Sequence, residues 1–407
     1  MATPQSAAID VPEPNAVPAL LFNLCFVLLV IHASFIPTAY FAHWCIFDEN
    51  GLGIPTDFAT IWSAGRLALD GQGAQAWDWD VAKQAQVAVL GQSYPGNFAW
   101  HYPPPFLLVA SLLAHFPYAV AFVGWVAASF VPYLAVMRAI VGRSFGLLLA
   151  AAFPAVLINT IAGQNGFLTA SLIGGTLYLL PARPILAGVC LGLLSYKPQY
   201  GLLFPLVLIA ASQWTVFVSA AVVAVAMALG SWLAYGTASW LAFFHWMPML
   251  SQAFLTEGRA PWWKLQSLFA LMRYFGGSEQ MAWIFQGILT AFVAVVLTVM
   301  WRSRISYPLK AAAFAAGTLL ITPYLFMYDM MVLAIAVAFL VRIGLKSGFL
   351  RYEPSALACA LALMFSFSFV GLPVGLGATL IVAGLILRRA GPWWQRQWVS
   401  SAAPAAA

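Results

Sequence analysis

Apolar segments follow one another along almost the whole of this chain, and only 7% of its 407 residues are charged. That pattern restricts the fold more than any motif does. A soluble globular domain carries about 25% charged residues. With 63% hydrophobic residues and a mean hydropathy of +0.89, a water-soluble fold exposes large apolar patches and aggregates. Soluble enzymes, secreted disulfide scaffolds, disordered chains and nucleic-acid-binding domains are excluded on this ground. An all-α polytopic membrane protein remains, with membrane lipids around it and no nucleic acid as partner.

The first apolar segment runs from about Ala16 to Phe41. Others follow near 117–138, 144–161, 166–181, 184–197, 200–212, 214–235, 281–301, 309–327, 329–345, 355–371 and 373–389. At roughly 20 residues per crossing this predicts about twelve transmembrane helices, some of them short enough to be half-buried or broken. Residues 1–15 read as a tail with no basic residue, not as a cleaved leader. Residues 390–407 read as a second tail. Two longer loops stand out, 42–104 and 236–280. The first holds Asp48, Glu49, Asp57, Asp70, Asp78 and Asp80, half of the acidic residues in the chain, so it is where chemistry is sought first. Within it, 57–69 and 76–90 have the apolar spacing of amphipathic helices lying at a membrane surface. Residues 104–115 read as a short surface or re-entrant helix, stiffened at its start by Pro103-Pro104-Pro105.

Basic residues set the orientation. Arg138 and Arg143, Arg183, Arg302 with Arg304 and Lys310, Arg342 with Lys346 and Arg351, and Arg388 with Arg389 and Arg396 fall in alternate loops. With both termini cytoplasmic, twelve crossings place all of them inside. The opposite, extracytoplasmic face then collects Asp57, His101, Gln164, Asn165, Lys197, Gln199, His245, Glu257, Arg259 and Asp329. That convergence is the main functional signal in the composition. Cys25, Cys45, Cys190 and Cys359 form no CxxC or Cys/His cluster. No phosphate loop, GxSxG elbow or HExxH motif occurs, and no Asp-rich cluster that would hold a metal beyond the weak Asp78-Trp79-Asp80. The expectation is a site without metal or other cofactor.

Each polar residue on the outer face has two readings. Asp57 can act as the general base for an acceptor hydroxyl, or it and Thr56 can cap the helix that follows. His101, in Trp100-His101-Tyr102, can bind a phosphate oxygen or shuttle a proton, or sit in an aromatic belt. In Gly163-Gln164-Asn165-Gly166 the amides can bond sugar hydroxyls, or the segment is a plain turn. Lys197, in Ser195-Tyr196-Lys197-Pro198-Gln199, stands against the positive-inside trend and can bind the phosphate of a lipid carrier; otherwise it snorkels. Asp329, after Tyr328, can orient a basic partner, bond a sugar hydroxyl or cap a helix. Arg259 is the candidate for a second phosphate contact in the aromatic-rich 236–280 loop.

Taken in order, Asp57-Phe58 with Trp62, Gly65-Arg66 and Leu69-Asp70-Gly71, then Tyr102-Pro103-Pro104-Pro105, Gly163-Gln164-Asn165, Gly192 through Gln199, and Thr322-Pro323-Tyr324 with Tyr328-Asp329 resemble glycosyltransferase family 87. Its better-known members are polyprenol-phosphate-mannose-dependent α-mannosyltransferases. The resemblance implies a GT-C bundle with a catalytic first extracytoplasmic loop, in the bacterial inner membrane. It implies a polyprenyl-phosphate sugar donor, mannose first among sugars, and a lipid or glycan acceptor. It also implies inverting, metal-independent transfer with Asp57 in the place of the catalytic aspartate. Lys197, Arg259 and His101 are then candidates for the donor phosphate. Gln164, Asn165, Gln199, Tyr328 and Asp329 are candidates for the sugar or acceptor. A transporter or flippase of a lipid-linked or amphipathic substrate is the competing class, since it too places polar groups at broken helices. A non-catalytic membrane scaffold is the third.

Overall fold

A computed structural model describes residues 16–96 and 98–401, with side chains through Gly391. The expected tail at 1–15 and the last six residues of the tail at 390–407 lie outside the described residues. The chain is helical. In order the helices are α1 (Ala19–Phe41), α2 (Asp57–Leu69), α3 (Trp79–Leu90), α4 (Pro105–Ala114), α5 (Tyr118–Val141) and α6 (Phe145–Ala152). Next come α7 (Ala155–Ala162), α8 (Gly166–Leu179), α9 (Pro184–Leu193), α10 (Leu203–Ala210), α11 (Trp214–Ser251) and α12 (Leu268–Tyr274). The last are α13 (Glu279–Arg302), α14 (Tyr307–Ile321), α15 (Met331–Ser347), α16 (Glu353–Phe365), α17 (Phe367–Val370) and α18 (Val374–Ser401). Among the described residues the only β pairing is two isolated bridges, Phe47 with Gly53 and Leu265 with Phe326.

An all-α polytopic membrane protein is what this chain folds into, with six or more candidate crossings among the described residues. Six described helices are long and apolar enough to span a membrane, and a seventh span arises if α6 and α7, bent by 60° at Phe153-Pro154, count as one. Six shorter apolar helices have 10–17 residues. At 1.5 Å per residue they fall short of a ~30 Å hydrocarbon core. For two of them the apolar composition has another cause. Every residue of α14 from Ala311 to Ile321 is buried, and so are eleven of the fourteen residues of α8. A helix at the centre of a bundle is hydrophobic all round, as a lipid-facing span is. The apolar segment at 214–235 also continues further than expected, through Ser251. It breaks its helical path only at Gly236, whose φ is 73°.

The 42–104 stretch folds as α2 and α3 joined by a 3-10 turn, Gly73–Trp77. Nine of the thirteen residues of α2 are buried, Thr60 and Ser63 among them, so the bundle encloses it on more than the one apolar face its spacing promised. Gly65 lets α2 lie directly on α4, since a Cβ there would meet the Ala110 carbonyl oxygen at 2.0 Å. The Asp78 side chain caps α3 by accepting from the backbone of Asp80 and Val81. From α3, Lys83 Nζ donates to the carbonyls of Tyr94 and Gly96, and Gln86 donates to that of Phe98. These bonds pin the extended run that leads to His101. The 104–115 segment is α4, with six of its ten residues buried between α2 and its neighbours rather than spread on a surface.

Candidate active site

Loops and helix ends from six parts of the chain enclose a cavity of about 490 Å³, a size within the range of small-ligand sites. Its polar lining is Asp57, His101, Arg259, Lys264, Tyr324, Tyr328 and Ser368. Phe98, Phe254, Phe326 and Phe367 supply aromatic faces. The loop carrying Lys264 is knotted to the one carrying Tyr324. Gln266 N–H donates to the Leu325 carbonyl at 2.6 Å, and the Ser267 hydroxyl donates to the Pro323 carbonyl at 2.6 Å. Gln266 Oε1 in turn accepts from Gly375 N–H, the start of α18.

Asp57 opens α2. Thr56 occupies the cap position, yet its side chain makes no cap hydrogen bond, and its hydroxyl sits 3.5 Å from Tyr118 Oη. The Asp57 carboxylate instead faces the cavity. Burial pushes it up from 3.8 to about 6, and the charge of Asp329 adds to the rise. A hydrogen bond from Gln164 and the charges of Lys197 and Lys264 oppose it. Asp57 is therefore ionised at neutral pH and more basic than an ordinary carboxylate, which suits a general base.

His101 donates from Nδ1 to the Ala99 carbonyl at 3.1 Å. Burial first, and the Lys197 charge second, hold it down at about 4. At neutral pH it is an uncharged imidazole whose Nε2 can only accept. That geometry does not suit a phosphate oxygen, which needs a donor. It suits a hydroxyl.

Behind the cavity wall lies a buried polar layer. Gly163 ends α7 with φ 63°, a left-handed cap that a side chain would strain. Gly166 opens α8 where a Cβ would meet the Tyr328 carbonyl oxygen at 2.2 Å. These two glycines fold the Gly163–Gly166 turn against the Tyr328 loop and bury Gln164 and Asn165. Lys197 and Asp329, 132 residues apart, form an ion pair at 2.6 Å with both side chains about 5% exposed or less. Asp329 Oδ2 also accepts from the Phe326 N–H, so the capping reading and the basic-partner reading both hold for it. Rings of Tyr102, Tyr200 and Tyr328 surround Lys197 Nζ at 5.5–6.0 Å.

The structure thus brings Asp57, His101, Arg259 and Tyr328 onto the cavity. Gln164, Asn165, Lys197 and Asp329 lie in the layer beneath it. Gln199 is half-buried and belongs to neither group. Arg259 is engaged by Glu257 at 2.9 Å and lies over the Trp79 ring at 4.8 Å. Lys264, absent from the expected set, is exposed and makes no ion pair among the described residues. Only its place in the aromatic-rich 236–280 loop, beside Trp262 and Trp263, marked it in the sequence. Among the described residues no three His, Cys, Asp or Glu side chains gather as a metal site.

The model of glycosyltransferase family 87 matches residues 100–323, more than half of the chain. The chain belongs to glycosyltransferase family 87. No curated protein and no solved structure matches it. Family 87 membership makes it a membrane glycosyltransferase, with a sugar donor and a glycan or lipid acceptor, and decides against the transporter and scaffold readings. The matched stretch contains His101, Gln164, Asn165, Lys197, Arg259 and Lys264 of this family 87 enzyme. Asp57 and Asp329 lie outside it, and it is the fold that joins them to the matched part.

Proposed function

We propose that this family 87 enzyme transfers a sugar, mannose first among candidates, from a polyprenyl-phosphate donor to a lipid or glycan acceptor. The cavity then opens on the extracytoplasmic side of a bacterial inner membrane, with both termini cytoplasmic. The observation that carries the reading is the pairing of one basic carboxylate, Asp57, with two cations, Arg259 and Lys264, on a single aromatic-lined cavity.

Asp57 takes the proton of the acceptor hydroxyl. The acceptor oxygen attacks the anomeric carbon, the bond from that carbon to the phosphate oxygen breaks, and polyprenyl phosphate leaves with the electron pair. Attack opposite the leaving group turns a β-linked donor into an α-linked product. The leaving group is already a weak base, so a strong general acid is not required. Arg259 and Lys264 offset the charge gathering on the phosphate. No metal is called for in this scheme. Lys197, engaged by Asp329, contributes through its field from beneath. Tyr328 and the neutral His101 face sugar or acceptor hydroxyls, while Gln164, Asn165 and Asp329 support the wall behind them. Gln199 has no assigned contact in this scheme.

The test is transfer in reconstituted vesicles. A panel of labelled polyprenyl-phosphate sugars is offered with a total membrane lipid extract, using wild type and Asp57→Asn. Wild type should label a new product, and Asp57→Asn should lose at least about 100-fold, the share of a general base. Full activity in Asp57→Asn would remove Asp57 from the mechanism. Labelling from nucleotide sugars alone would overturn the donor class.

A further inference from the structure

Lys264 stands at one end of a run of aromatic rings that leaves the cavity. Its Nζ lies 5.6 Å from the centre of the Trp263 ring. The Trp263 ring is 5.4 Å from that of Phe367, which lines the cavity together with Ser368. The next residue, Phe369, is 77% exposed, and Val370 and Leu372 are exposed as well. Phe367 and Ser368 belong to α17, a single turn of four residues. One short helix therefore supplies both cavity wall and exposed apolar surface.

This arrangement is held in place. Gln266 is buried, and its Nε2 donates to the carbonyls of Trp263 and Lys264 at 3.0 and 2.9 Å. Its Oε1 accepts from Gly375 N–H at 2.8 Å. One amide thus ties the Trp263-Lys264 backbone to the start of α18. Helix α17 comes just before that point in the chain and ends at Gly371, whose φ of 57° lets the backbone turn sharply.

Exposed apolar residues alone mean little here, since lipid tails are as apolar as the side chains they touch. What sets this wall apart is that its apolar surface continues from a cation. Two other apolar hollows lack that. One of about 390 Å³ lies between α1, α5 and α7, and one of about 340 Å³ lies between α9, α10 and α11. Neither has a charged side chain in its lining. A cation, then aromatic rings, then apolar surface fits an anionic head on a long hydrocarbon chain. We propose that the wall formed by Trp263 and α17 is the path by which the isoprenoid chain of the donor leaves the cavity. The phosphate lies at Lys264, the first isoprene units lie against Trp263 and Phe367, and the chain passes over Phe369 into the membrane. This rests on polyprenyl phosphate as the carrier of the sugar. A donor cut to one isoprene unit keeps the phosphate contact and loses the path.

The probe is a polyprenyl phosphate with a diazirine on an early isoprene unit, irradiated with the whole protein in vesicles and read by peptide mapping. Label should fall on Trp263 and residues 367–372. Excess unlabelled polyprenyl phosphate should abolish it, and phosphatidylglycerol should not. Phe369→Ser alters a side chain that is already exposed, so the fold is kept. It should lower the saturable label at this wall. It should also raise the KM of a long-chain donor relative to that of a one-unit donor by about fivefold, the weight of one aromatic contact. Val123→Ser, at an exposed residue of the hollow between α1, α5 and α7, should change neither. Label concentrated in one of the other two hollows, or displaced equally by phosphatidylglycerol, overturns the path. So does a chain-length preference that Phe369→Ser leaves intact. Transfer from polyprenyl-phosphate sugars with the label elsewhere would sink the path alone; transfer from nucleotide sugars only would sink the donor reading and the path with it.

Discussion

Two buried ion pairs sit at the two ends of α15, and they are built differently. After its C-terminus, Arg389 grips Glu353 with Nε at 2.6 Å and with a second guanidinium nitrogen, which also donates to the Gly348 carbonyl. Glu353 is fully buried and accepts from Leu350 N–H as well. Its lone pairs are used, and the fork is planar and stiff. Before the N-terminus of α15, Lys197 gives a single hydrogen bond to Asp329, and its remaining N–H groups face tyrosine rings. Tyr200 Oη nearby has no partner in good geometry. Asn165 comes close to the Tyr102 hydroxyl, yet neither of its amide atoms completes a bond. A pair with every bond made acts as a clamp. A pair with bonds in reserve, beside a cavity, can answer to what enters it.

The sharpest way to break this contrast is to remove charge singly and in pairs. Glu353→Ala leaves Arg389 buried and alone, at a cost of about 3–5 kcal/mol, read as a large fall in thermal midpoint in detergent. The double change Glu353→Leu with Arg389→Met should recover most of that stability, because well-packed apolar groups can replace a buried pair, and transfer should survive. The double change Lys197→Met with Asp329→Leu should also keep near-wild-type stability, but lose transfer by about 100-fold or more. Normal transfer from the second double, or dead enzyme from a stable first one, would erase the distinction between clamp and working pair.

Asp57 offers a smaller effect with an opposite sign. Its folded value, about 6, stands above the ordinary 3.8. Folding therefore disfavours the ionised form. The cost is absent below about pH 4, grows as pH rises, and is complete above about 6. Asp57→Asn should stabilise the protein at pH 7.5 by about 1–3 kcal/mol, with the gain shrinking as pH falls toward 4. Thermal melts across that range check it. A destabilised Asp57→Asn at pH 7.5 would place Asp57 with Glu353, among the carboxylates that hold the fold together.

Much of this was legible in the sequence, for reasons that can be named. Helix α2 begins and ends where the spacing from Asp57 to Leu69 put it, because amphipathic periodicity is local. Glycine at 163 and 166 announced a turn. Which apolar segments are long enough to span was not legible, since the buried α14 carries the same composition as a lipid-facing span. Nor was the Lys197–Asp329 pair: each residue was a candidate by itself, but nothing local joins positions 132 apart. Gln164 was noticed as an amide able to bond sugar, and the fold turns it inward, where its oxygen accepts from the Tyr102 hydroxyl. Lys264 went unremarked because an exposed lysine in an aromatic loop resembles any interfacial anchor until the cavity is seen.

The smallest predicted effect separates the rim cations from the buried one. Lys264 lines the cavity, is exposed and is unpaired among the described residues, whereas Arg259 shares its charge with Glu257. In the proposed scheme the donor phosphate meets Lys264 before and during transfer alike, so loss of this side chain removes binding common to ground and transition states. Lys264→Gln should raise KM for the donor about fivefold with kcat nearly unchanged, an effect of about 1 kcal/mol. The wild-type KM should also climb with ionic strength more steeply than that of Lys264→Gln, because an exposed charge is screened by salt. Lys197, about 4% exposed, lies beyond such screening. If Lys264→Gln leaves KM and its salt dependence unchanged while Lys197→Met raises KM, the phosphate enters past the rim and opens the Lys197–Asp329 pair to reach its cation.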